Sequence, residues 1–81
     1  MEKFNKEIQV GAETKTFQFT RMQNMIGVKF FITTVDMANK PISFSMRQDK
    51  YGNWALTPGS LPWLYTITTE LSDAILETQP A

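Results

Sequence analysis

Two five-residue segments, Asp36-Met37-Ala38-Asn39-Lys40 and Asp49-Lys50-Tyr51-Gly52-Asn53, constrain this chain's fold more than any other feature. Each opens on Asp and places Asn or Gly three residues later. Asp favours the first position of a type I turn, and Asn or Gly tolerates the left-handed conformation that follows. The pattern is that of a three-residue hairpin loop closed by a bulge.

The two loops fix a register. The first sets Val35 opposite Pro41, Thr34 opposite Ile42, Ile32 opposite Phe44, Phe30 opposite Met46 and Val28 opposite Gln48. The second sets Gln48 opposite Trp54 and Met46 opposite Leu56. One face then collects Val28, Phe30, Ile32, Ile42, Phe44, Met46, Trp54 and Leu56. Two separate turns agreeing on one apolar face is the consistency expected of a real three-stranded meander.

Upstream, Thr16–Thr20 alternates as a half-buried strand does. A weaker strand runs near Lys6–Val10, with Ile8 and Val10 on one side and Gly11-Ala12-Glu13-Thr14 as the connection. The turn within Met22–Gly27 has no clear signature. Downstream, Pro58-Gly59-Ser60 turns the chain into a helix over 62–78, with Ser60 as N-cap and Pro62 in the first turn. Trp63, Leu64, Ile67, Leu71, Ala74 and Ile75 form its apolar stripe. Thr66, Glu70, Asp73 and Glu77 face away, and Pro80 stops it. The expected fold class is α+β: an antiparallel meander of four to five strands within about 4–57, then one C-terminal α-helix at about 61–78 on one sheet face. The 81 residues form a single domain.

Composition excludes several chemistries. A chain this short buries only about 60–65% of its unfolded surface, and small domains usually add disulfides, a metal or a partner. The chain has no Cys and no His. Disulfides, Ser-His-Asp and Cys-His nucleophiles and an ordinary zinc site are therefore out. Ten aromatics, six of them Phe, leave aromatic packing or oligomerisation as the support. The four glycines are isolated, so no loop can cradle a phosphate. Asp36 and Asp49 lie at opposite ends of one strand, roughly 23 Å apart at ~3.3 Å per residue, too far for an acid/base pair. Both read as turn formers. Glu70, Asp73 and Glu77 share a helix face and read as a solvated one, and Trp54 and Trp63 as core. No cofactor and no enzymatic activity are expected.

Eight cations balance eight carboxylates, unlike a general nucleic-acid binder. The charge is uneven: residues 1–50 hold all eight cations against five carboxylates, a net of +3, and residues 51–81 hold three carboxylates, a net of −3. The N-terminus shows no apolar leader and no apolar run approaches a membrane span, so the reading is cytoplasmic with no membrane partner.

The same register populates the other sheet face. Lys29 falls opposite Arg47, Phe31 opposite Ser45, Thr33 opposite Ser43, and Val35 opposite Pro41. Opposed like charges are unfavourable on a sheet, and Phe31 and Val35 are not needed for a core on the far side. Lys29, Phe31, Val35, Ser45 and Arg47 are the candidate binding residues.

In element order over residues 15–78, a strand meander followed by one helix, the chain resembles the single-stranded nucleic-acid-binding domains of the Pur-alpha type. That resemblance implies a dimer presenting a sheet surface to the strand. No signature residue is matched, and no site is carried over. The expected function is a non-enzymatic interaction module that self-associates. The alternative is binding of single-stranded nucleic acid or another polyanion on the open face, with Lys29 and Arg47 on phosphates and Phe31 stacking.

Overall fold

Alternation of inward and outward residues carries the chain through five strands before one helical segment. The computed structural model describes residues 2–36 and 38–78. The strands are β1 (Lys3–Val10), β2 (Glu13–Asn24), β3 (Gly27–Val35), β4 (Pro41–Gln48) and β5 (Trp54–Leu56). They form one antiparallel sheet in chain order. A 3₁₀ segment, Pro62–Ile67, leads into α1 (Thr68–Thr78), which packs over β5 and β1. The architecture is the α+β meander-plus-helix expected from the sequence.

The twin loops are built as their residues demand. In the first, the Asn39 amide donates to the Asp36 carbonyl at 3.0 Å and the Asp36 amide to the Lys40 carbonyl at 2.8 Å. In the second, the Gly52 and Asp49 amides make the same bonds to Asp49 and Asn53, at 3.0 and 2.8 Å. Asn39 has φ +59° and Gly52 φ +85°, both left-handed. The resulting pairs include Lys29 with Arg47, Phe31 with Ser45, Val35 with Pro41 and Gln48 with Trp54, as the turns require.

The sequence leaves β1 and β2 underdrawn. β1 begins at Lys3 rather than Lys6 and pairs along its length with β2, bringing Phe4 beside Phe19. Its connection is the two-residue turn Gly11-Ala12, with Gly11 at φ +63°. β2 runs four residues past Thr20, to Asn24.

The inward face and helix form one core. Phe17, Phe19, Phe30, Ile32 and Met46 from the sheet meet Leu64, Leu71 and Ile75, each at most 1% exposed. Rings do much of the filling: Phe4 stacks on Phe19 at 4.6 Å, and Trp54 meets Phe30 edge-on at 5.1 Å.

The helical segment starts differently from the expectation. Leu61, not Ser60, is the cap residue, and no side chain caps the start. The Ser60 hydroxyl instead donates to the Thr57 carbonyl at 2.7 Å. The first turns, over Pro62–Ile67, are 3₁₀. The Thr66 and Thr68 hydroxyls also donate to the carbonyls three residues back, at 2.7 and 3.1 Å. Pro80 and Met37 lie outside the described residues. Among the described residues no helix is long and apolar enough to cross a membrane.

Candidate functional site

The face away from α1 is a lattice of hydroxyls and amides. Thr16, Gln18, Thr20, Thr33, Ser43 and Ser45 occupy its middle rows. Phe31 and Val35 are 37% and 38% exposed, so each presents only part of its surface. They stand four residues apart on β3, about 13 Å at ~3.3 Å per residue, with Thr33 between them. The five sequence-predicted residues therefore share a face but not a cluster. Phe31 and Ser45 are paired, Lys29 and Arg47 are paired, and Val35 sits at the far end against Pro41.

Ser45 has local work. Thr57 Oγ1 donates to the Ser45 carbonyl at 3.0 Å, and the two side-chain hydroxyls lie 2.7 Å apart. Either hydroxyl can donate to the other, and the pair ties Ser45 Oγ to the residue that follows β5.

Lys29 and Arg47 are otherwise placed. They face each other across β3 and β4, and both line an open depression of about 280 Å³ with Asn24, Ile26, Gly27 and Gln48. Among the described residues no carboxylate lies within 4.0 Å of either cation; the ion pairs found are Lys6–Glu77 at 3.0 Å and Lys15–Glu13 at 3.3 Å. Two positive charges thus meet across one ladder without a protein counter-ion, an arrangement that opposes folding slightly.

The wall of this depression escapes sequence reading. The β2–β3 turn is made by a side chain: Asn24 Oδ1 accepts the amides of Ile26 at 2.9 Å and Gly27 at 3.1 Å. This leaves Met25 and Ile26 at the tip, fully exposed at 105% and 92%. Asn three residues ahead of Gly was the available signal. A second feature also escapes it. Lys15 lies on the inward row of β2, only 5% exposed, and its Nζ donates to the Asp36 carbonyl at 3.2 Å.

The carboxylates serve structure. Asp36 Oδ1 accepts the amides of Ala38 and Lys40 at 2.8 and 2.9 Å. The Lys40 amide is the main cause that holds its carboxyl below the ordinary 3.8, with the Ala38 amide and the charges of Lys40 and Lys15 adding to it. Asp49 Oδ1 accepts from Tyr51 and Asn53 in the same way, at 2.9 and 3.0 Å. Among the described residues, no group of three or more carboxylates converges as a metal site would require. Searches against protein-family models, curated proteins and solved structures find no match to this chain.

Proposed function

We propose that the chain is a non-enzymatic interaction module that binds an anionic partner at the Lys29–Arg47 end of its open sheet face. The observation that supports this is the pairing of those two cations over one depression, with no carboxylate partner among the described residues. A sheet does not need opposed cations to fold. A bound anion would convert their repulsion into two charge-assisted contacts. Asn24 and Gln48 also line this depression, with their side chains already bonded to the amides of Ile26 and Gly27 and to the Gly52 carbonyl.

Thermal melts of the wild type and Lys29→Thr, with and without excess phosphate at matched ionic strength, test this reading. An anion stabilises only the state that binds it. The expected result is a phosphate-dependent rise in melting temperature in the wild type that is lost in Lys29→Thr. With phosphate absent, the variant should be as stable as the wild type to within a few tenths of a kcal/mol. Equal phosphate shifts in both proteins would sink the site.

Self-association is the second reading, and one feature favours it. Among the described residues no strand lies beside the outer edge of β1 over its eight residues, and an open edge invites pairing with another copy. Its fit is weaker on the open face, where Phe31 and Val35 are isolated among hydroxyls. Sedimentation of the same samples distinguishes the 9.3 kDa monomer from a dimer.

A further inference from the structure

Topology brings two loops to the same end of the sheet. The β2–β3 turn, Met25-Ile26, is closed by the pair Asn24 with Gly27, and the β4–β5 loop begins one residue past Gln48, at the level of that glycine. Only β3 and β4 separate the loop centres, about 10 Å at the ~4.8 Å strand spacing. Together the loops present Met25, Ile26 and Tyr51, which are 105%, 92% and 77% exposed. The β2–β3 hairpin projects past the start of β1, whose last pair is Lys3 with Thr20, and its turn stands beside the β4–β5 loop. Met25 and Ile26 are therefore carried at one of two neighbouring loop tips.

Charge gathers behind this apex. Lys3, Arg21, Lys29, Arg47 and Lys50 lie at this end, five of the eight cations, against the carboxylates Glu2 and Asp49. Asp49 is already held by its loop amides. Lys50 lies 5.2 Å from the Tyr51 ring, placing a cation and an aromatic together at the second tip. The remaining three cations share the rest of the molecule with six carboxylates. This end carries a net +3 and the rest a net −3.

We infer that this end docks on the surface of an anionic lipid bilayer, with Met25 and Ile26 entering the headgroup layer and Lys29 and Arg47 meeting lipid phosphates. The inference rests on the anionic partner proposed above and names its class. Exposed apolar residues on two neighbouring loop tips need either a matching pocket or a medium that yields to their shape, and a bilayer surface yields. Cations set behind the tip then lie at phosphate depth, where an anionic surface attracts each of them. A tyrosine beside them suits the same interface. The contact lies on the membrane and crosses nothing, so it is separate from a membrane span.

The test is co-sedimentation of the full chain with phosphatidylcholine vesicles, with and without phosphatidylserine, alongside the phosphate melts. The variants are Lys29→Thr and the double change Met25→Ser with Tyr51→Ser, which spares Ile26 because it lines the anion depression. Both tip residues are exposed and outside the core, so the double variant should melt as the wild type does. The expected result is binding to the phosphatidylserine vesicles alone, weakened by salt and reduced about tenfold or more by the double change. The phosphate-dependent melt should survive that change and be lost in Lys29→Thr. Wild-type affinity in the double variant, or no vesicle binding beside an intact phosphate response, overturns the membrane inference and leaves the anion site standing. Preferential, tip-dependent binding to soluble polyglutamate overturns it in favour of an acidic protein partner. Loss of both vesicle and phosphate responses in the wild type overturns the anion reading as well.

Discussion

Single residues decide where this sheet turns. Asn39 and Gly52 hold the same place in twin loops, and both carry the positive φ that an ordinary side chain resists. A β-carbon added at Gly52 would meet nothing within 4 Å, so the cost of substitution there is conformational rather than steric. Gly52→Val should lower stability by about 1 kcal/mol or more, whereas Gly52→Asn should cost less because asparagine already serves in the twin loop. Urea melts of the two variants check this, and equal midpoints would contradict it. The turns were legible because Asp, Asn and Gly act on their own backbone within five residues. Lys15 was not. Its burial depends on the Asp36 carbonyl, which lies 21 positions away in sequence.

At the scale of elements, legibility follows alternation. β3 and β4 alternate cleanly, so their register, and with it the opposed Lys29 and Arg47, could be written down from the chain. β1 places Lys6 on its inward row between Phe4 and Ile8, which breaks the pattern, yet Lys6 reaches out to Glu77 at 3.0 Å. β2 loses its alternation at Arg21-Met22-Gln23, where polar side chains take the inward row opposite Phe30 and Val28. For that reason Met25 and Ile26 did not read as a tip. The helical segment was legible from its stripe but not in its start, where the Ser60 hydroxyl goes to the Thr57 carbonyl and no side chain caps the first turn. A peptide of residues 60–78 should therefore be largely unstructured in water, because its helix is held by burial of Leu64, Ile67, Leu71 and Ile75 against the sheet. Strong helical circular dichroism from that peptide would show that propensity suffices.

The whole molecule measures 36 by 23 by 19 Å, and its radius of gyration is 12.3 Å. About 11.7 Å is usual for this length, so the chain is slightly elongated. β2 accounts for the long axis: twelve residues at ~3.3 Å per step span about 36 Å. Strand order repeats chain order, so each hairpin joins segments that follow one another and needs little search to form. The expensive closure is the last one, in which α1 reaches back to β1 and brings Lys6 to Glu77, 71 positions away. Refolding should then be quick for a protein dominated by a sheet. Its rate should slow when the α1–β1 contact is weakened and stay nearly constant when the projecting ribbon is altered, as stopped-flow fluorescence of the buried Trp54 can follow. The part of the molecule that reaches outward is thereby uncoupled from the part that sets how fast it forms, and its tip can change sequence without slowing the assembly of the domain behind it.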